Sequence, residues 1–144
     1  MRGKLSVFYQ QKLNTKITTM KIQLTSVHVD DSIKAFEFYT EILGFEEQMY
    51  MPDAYVAIVV SPEDPEGTAL LLEPSDNPIA KNYKEGLYEQ GIPAIVFGVE
   101  DIQKEFERLQ KAGVEFRKEP TQTDWGYEAI LDDTCGNYIQ LVQI

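Results

Sequence analysis

An α+β fold built from two tandem β-α-β-β-β modules is predicted for this 144-residue chain by a repeated segment, by its apolar periodicities and by the placement of its glycines. The stretch from Val29 to Glu37 returns seventy residues later as Val99 to Glu107, with Val29, Asp31, Lys34, Phe36 and Glu37 matched by Val99, Asp101, Lys104, Phe106 and Glu107. Each copy follows a β-branched run suited to a strand and continues into a glycine, Gly44 or Gly113, suited to end a helix. Two copies of one unit must meet at a seam, and a seam between pseudo-symmetric halves is a natural place for a pocket.

In the first module, the β-branched residues between Ile22 and Val29 favour a strand, and Asp30 or Asp31 can cap the following helix by accepting free amide hydrogens of its first turn. Ile33, Phe36, Tyr39 and Leu43 recur every three or four residues, which gives that helix one apolar stripe to lay on a sheet. Residues 45–51, 55–61 and 68–73 read as three strands, separated by turns at Met51-Pro52-Asp53-Ala54 and at residues 62–67. Asn77-Pro78 suits a helix start, and Ile79, Tyr83 and Leu87 keep helical spacing up to Gly91, so residues 77–90 form a linker helix. The second module repeats the plan: a strand at 93–99, a helix at 102–112, a short strand at 114–118, and strands at 127–131 and 138–143. The modules therefore occupy about 20–75 and 92–144 within a single domain, 20–144. Residues 1–19 are polar, basic and without a clean period, and are read as an appendage outside the fold, with Met20 as a candidate native start; a short edge strand around Leu5 to Tyr9 is the competing expectation.

Composition narrows the function classes. At 43% hydrophobic and 11% aromatic residues the chain can bury a sizeable core, which argues against disorder. No apolar run approaches a membrane helix, no signal-peptide pattern opens the chain, and the single Cys135 cannot form an internal disulfide, so a cytoplasmic location is expected. Residues 1–19 hold Arg2, Lys4, Lys12 and Lys16 without any acid, which leaves 9 of the 13 basic residues against all 24 acids, near −15, in the remainder. Such a surface repels phosphate backbones and anionic lipids, so no nucleic acid and no membrane is expected as a partner. It would steer a cationic ligand inward, although solubility alone also accounts for it.

With Val29, Asp31, Ala35, Phe38-Tyr39 and Leu43-Gly44-Phe45 in the first half, and Trp125-Gly126, Asp133, Gly136-Asn137 and Ile139-Gln140-Leu141 in the second, the chain resembles the vicinal oxygen chelate superfamily, which includes glyoxalase I, bleomycin-resistance proteins, fosfomycin-resistance enzymes and extradiol dioxygenases. The resemblance spans Met20 to Ile144, and it implies paired modules whose sheets form an open, U-shaped cleft with the helices outside. It also implies, in metal-binding members, one divalent ion held by side chains from four strands. The first-strand ligand position falls on Leu24 in the first copy and on Ala94 in the second, and neither side chain can bind a metal. The other two positions correspond to Glu73 and Gln140, which can. One carboxylate and one amide are few ligands for tight binding, so no cofactor is expected; one divalent metal ion is the alternative. The resemblance further implies a homodimer.

Strand alternation from Leu24 puts Ser26 and His28 on the cleft side, with Val27 and Val29 beneath the helix. His28 stands where glyoxalase I carries an Arg that grips an anionic ligand end; it could bind a carboxylate or move a proton, or equally be a backbone-bonded His at a strand end. Glu73 emerges from the apolar run Ala69-Leu70-Leu71-Leu72, and is open as a base, a cation partner, a metal ligand or an ordinary strand-end acid. Gln140 needs hydrogen-bond partners if buried. Tyr55, Trp125, Tyr127 and Tyr138 could stack a planar or cationic ligand, or simply pack. Cys135 has no base near it in sequence and is not expected to act as a nucleophile.

Three functions follow. The first is a metal-free binding protein of the bleomycin-resistance kind for a small cationic or planar molecule. The second, if the chain is an enzyme, is a glyoxalase-like lyase or dioxygenase using Glu73 and Gln140, or His28, with a metal. The third is a non-catalytic structural or regulatory domain.

Overall fold

The computed structural model describes residues 19–144, so the expectations for residues 1–18, including the strand around Leu5, lie outside the described residues. The fold is α+β, with two open four-stranded sheets. In the first sheet β1 (Leu24–Val29) runs parallel to β4 (Ala69–Pro74), which is followed in order by β3 (Val56–Val60) and β2 (Glu46–Met51). The second repeats that order with β5 (Ile95–Val99), β8 (Tyr138–Gln143), β7 (Gly126–Asp132) and β6 (Phe116–Thr123). α1 (Ser32–Glu37) packs on the first sheet and α3 (Ile102–Lys111) on the second, while α2 (Pro78–Gln90) links the modules.

The repeat is visible in detail. Asp31 caps α1 by accepting from Ile33 N and Lys34 N, and Asp101 caps α3 by accepting from Lys104 N. Phe36 stacks on Tyr50 of β2 as Phe106 packs edge-on against Phe116 of β6. Gly44 and Gly113 both end their helices with positive φ, 92° and 91°, a conformation that side chains with a Cβ resist.

Two expectations need correction. The first helix does not run on as a regular α-helix: Phe38–Ile42 forms a wider π turn, closed by Leu43 N donating to Phe38 O. Of the predicted stripe, Tyr39 is fully buried while Ile33, Phe36 and Leu43 are half-buried, and Ala35 and Phe38 take the remaining core places. The strand expected to stop at Lys118 extends to Thr123 through Pro120. It can do so because β6 is an edge strand with register shifts on either side of Lys118, where a residue lacking an N–H does no harm.

One core joins the modules, from Val27 and Val29 through Tyr39, Leu72 and Leu109 to Leu131, Ile139 and Leu141. Phe45 and Phe97 cross the seam edge to face with centroids 4.9 Å apart. Beneath them Tyr39 Oη donates to Asp133 Oδ2 at 2.7 Å, and Asp30 N donates to Cys135 O at 3.0 Å. No helix among the described residues is long and apolar enough to cross a membrane.

Candidate functional site

Because register partners share a face, the pairings define the open side of each sheet. In the first sheet Ser26 lies opposite Leu71 and His28 opposite Glu73, while Ile58 is matched with Leu71 and Met49 with Ile58. Val27 and Val29 point the other way and are buried beneath the helix. The open face is thus apolar over most of its area, with His28 and Glu73 side by side at the C-terminal ends of two parallel strands. Leu24, Met49 and Met51 are 44%, 45% and 46% exposed, a large uncovered apolar surface for a protein this acidic. The His28 carbonyl accepts from Asn137 Nδ2 at 2.8 Å, whereas its ring Nδ1 is buried without a partner among the described residues.

On the second sheet, Gln140 pairs with Val96 of β5 and Ile130 of β7. Gln140 Nε2 donates to Glu128 Oε2 at 2.8 Å, and Lys118 Nζ donates to Glu128 Oε1 at 2.9 Å. The amide is therefore held in a polar triad, and the nearly buried Glu128 carboxylate has its charge paired. The alternation of β7 places Glu128 on this face and would have revealed it. The same alternation turns Tyr127 toward the helix side with buried Ala129 and Leu131, away from Gln140.

The remaining aromatic candidates are spread out. Tyr138 stacks on Tyr88 of α2 with centroids 4.4 Å apart and planes 3° from parallel, and Arg117 Cζ lies 5.2 Å from the same ring centroid. Tyr88 Oη donates to Asp132 Oδ2 at 2.6 Å, and that bond is the main reason its phenol pKa is raised. Tyr55 and Trp125 sit at exposed turn tips, Trp125 being 89% exposed. Cys135 is buried, and desolvation pushes its thiol up to about 12, which removes it from nucleophilic chemistry near neutral pH.

Of the four positions at which a metal-binding relative would place ligands, Leu24 and Ala94 have side chains without a lone pair and Gln140 is engaged by Glu128, which leaves Glu73 as the one uncommitted donor. Among the described residues no group of three or more His, Cys, Asp or Glu side chains is gathered as a metal site. These residues do not fit a resident divalent ion of the usual kind. Two grooves, of about 610 Å³ and about 640 Å³, lie at the seam between the modules, and none of the open-face candidates lines either of them.

Paired β-α-β-β-β modules with helices on one side and open sheets on the other define a protein of the vicinal oxygen chelate class. The chain belongs to the Glyoxalase/Bleomycin resistance protein/Dioxygenase superfamily, whose sequence pattern matches residues 21–141. It is 50% identical over 126 residues to the uncharacterized protein YurT of Bacillus subtilis (strain 168), an alignment covering 86% of this chain and 99% of that one. Among solved structures it is similar to UcmS2, with a TM-score of 0.71 and 28% identity over 86% of this chain and 98% of that one. It is also similar to TnmS3, an antibiotic binding protein from Streptomyces sp. CB03234, with a TM-score of 0.67 and 26% identity over 88% of this chain and 98% of that one.

Proposed function

We propose that this protein binds a small planar or cationic molecule against its open sheet faces without a catalytic metal. The observation that carries the reading is the substitution of Leu24 and Ala94 at two of the four ligand positions, together with the engagement of Gln140 by Glu128. The apolar row of Leu71, Ile58 and Met49, with Met51 beside it, suits a flat ligand body, since methionine adapts to irregular shapes. Glu73 supplies a charge for a cationic centre, and His28 a hydrogen bond beside it. Likeness to an antibiotic binding protein supports the same direction.

The open faces also support a homodimer in which a second copy covers Leu24, Met49, Met51 and Val96, all large apolar side chains left uncovered in one chain. The single, buried Cys135 agrees with cytoplasmic residence. Thermal-shift titration against a panel of cationic and planar compounds tests the binding reading. Stabilisation by some members, with the preference for cations lost in Glu73→Gln, is expected; indifference to the whole panel would oppose it. The second reading, a metal-dependent lyase or dioxygenase, draws on the placement of His28 and Glu73 as register partners on one face. It requires stoichiometric metal and turnover of a substrate such as a hemithioacetal.

A further inference from the structure

A polar cluster crosses the open face of the second sheet. Lys118 of β6, Glu128 of β7 and Gln140 of β8 stand on three adjacent strands and on one face: Ile130 is the register partner of both Lys118 and Gln140, and Glu128 lies two residues before it on β7. Around them the face is aliphatic. Val96, the partner of Gln140 on β5, is 53% exposed, and Ile130 and Val142 are half-buried. The Lys118 and Glu128 side chains are 35% and 11% exposed, so the carboxylate lies deep and the ammonium nearer the surface.

Hydrogen-bond chemistry fixes what this cluster shows to a ligand. A carboxylate only accepts, so Gln140 must turn Nε2 toward Glu128 Oε2, 2.8 Å away, and Oε1 in the opposite direction. Lys118 Nζ donates to the other Glu128 oxygen at 2.9 Å and has two further N–H groups to give. Gln140 Oε1 makes no hydrogen bond among the described residues and is not closed off from solvent. The face therefore presents an acceptor, Gln140 Oε1, and a donor, Lys118 Nζ, both held by one shielded carboxylate. The cluster carries no net charge, because Glu128 is paired with Lys118. A ligand anion drawn to Lys118 would come up against Glu128, and a ligand cation drawn to Glu128 would meet Lys118 first. A neutral group with a donor beside an acceptor meets neither repulsion and satisfies both open positions.

We propose that Lys118, Glu128 and Gln140 form the subsite that reads the polar end of a planar ligand, and that this end is a neutral donor–acceptor group of the primary-amide kind. The ligand N–H donates to Gln140 Oε1, and the ligand carbonyl accepts from Lys118 Nζ. Resting on the binding function proposed above, this subsite gives the planar ligand a neutral polar end. Val96, Ile130 and Val142 form the apolar margin for the ring that carries the group. Glu128 is a positioning residue, which sets the orientation of the Gln140 amide.

The test compares three compounds that share one flat body: 2-naphthamide, 2-naphthoate and 2-naphthylmethylamine. Each is titrated into the full chain and followed in backbone and side-chain amide spectra. Expected with 2-naphthamide, and not with 2-naphthoate, is saturable movement of the Gln140 side-chain NH2 together with the Val96, Ile130 and Val142 amides. Gln140→Met leaves the Lys118–Glu128 pair intact, identifies the Gln140 signal by its loss, and should weaken 2-naphthamide about tenfold. The Lys118→Glu, Glu128→Lys variant keeps the ion pair and the net charge, but a lysine beside Gln140 turns the amide over and withdraws Oε1 from the face. It should weaken 2-naphthamide by a similar factor, and Gln140→Met decides the matter if the swapped pair fails to fold. Equal binding of all three compounds, or an amide affinity indifferent to the variants, would overturn the proposal and leave the cluster as a brace across β6, β7 and β8. So would 2-naphthylmethylamine moving the His28 and Glu73 signals while 2-naphthamide leaves Gln140 unmoved, an outcome that spares the binding function. If none of the three moves any open-face signal, the subsite and the binding function fall together.

Discussion

The bond between Tyr39 and Asp133 ties one module to the other, and removing it has a calculable cost. Asp133 is fully buried and accepts four hydrogen bonds: Tyr39 Oη at 2.7 Å and Asn137 Nδ2 at 3.1 Å on one oxygen, Cys135 N at 2.7 Å and Asn137 N at 2.9 Å on the other. Tyr39→Phe deletes the one donor that comes from the first module and leaves the carboxylate three others. A hydrogen bond to a charged group contributes about 1.5–3 kcal/mol. In a chain of this size that is a fall in Tm of roughly 5–10 °C. Urea unfolding should show the midpoint shifting at constant slope, which keeps the effect in the native state. A double-mutant cycle with Asp133→Asn should return a coupling energy of the same order. A cost below about 0.5 kcal/mol, or additive single effects, would refute the view that this bond braces the seam.

The same carboxylate carries a pH signature. Burial raises the Asp133 pKa above its ordinary 3.8, outweighing the hydrogen bonds that lower it. Folding therefore favours the protonated form, so the contribution is fully present below the ordinary carboxylate value and is lost as pH rises through the folded one. Wild type should lose stability relative to Asp133→Asn across that window, and a difference that grows in the opposite sense would contradict the assignment.

Other outcomes follow from single residues. Gly136 has φ +96°, and a Cβ there would lie 2.8 Å from Lys84 Nζ and 3.0 Å from both Asp30 carboxylate oxygens, so Gly136→Ala should cost about 1–3 kcal/mol in denaturant titration. Gly86, inside α2 with nothing within 4 Å of an added Cβ, offers the contrast: Gly86→Ala should stabilise by about 0.5–1 kcal/mol in the same assay. Cys135, buried and with its thiol pushed up to about 12, should react with a thiol reagent at mildly alkaline pH only as fast as the protein opens. Immediate labelling of the native protein would place that turn at the surface.

What the sequence made legible was whatever repeats or alternates. The duplicated segment located both module helices and left the first cap between Asp30 and Asp31, of which Asp31 is the one used and Asp101 its repeat, and alternation in β1 separated His28 from Val27 and Val29. The π turn at Phe38–Ile42 was not legible, because it changes hydrogen-bond spacing without changing which residue types are apolar. Nor was the reach of β6 through Pro120, since a proline is compatible with a strand only where that strand is an edge, and edges are set by tertiary order. At the site, the partner that occupies Gln140 is Glu128 of the neighbouring strand, a contact defined by register between β7 and β8. Tyr138 was legible as an aromatic on the open face, but not as one already stacked on α2, which sequence periodicity leaves free to pack anywhere.

The central claim is that this scaffold keeps the paired modules of its superfamily and binds its ligand without their usual metal. Elemental analysis of the protein purified without chelator tests it most directly. The account predicts Ni, Zn, Fe and Mn all well below one equivalent per chain and unchanged by Glu73→Ala. One equivalent of any of them in the native protein, lost in Glu73→Ala, would contradict it.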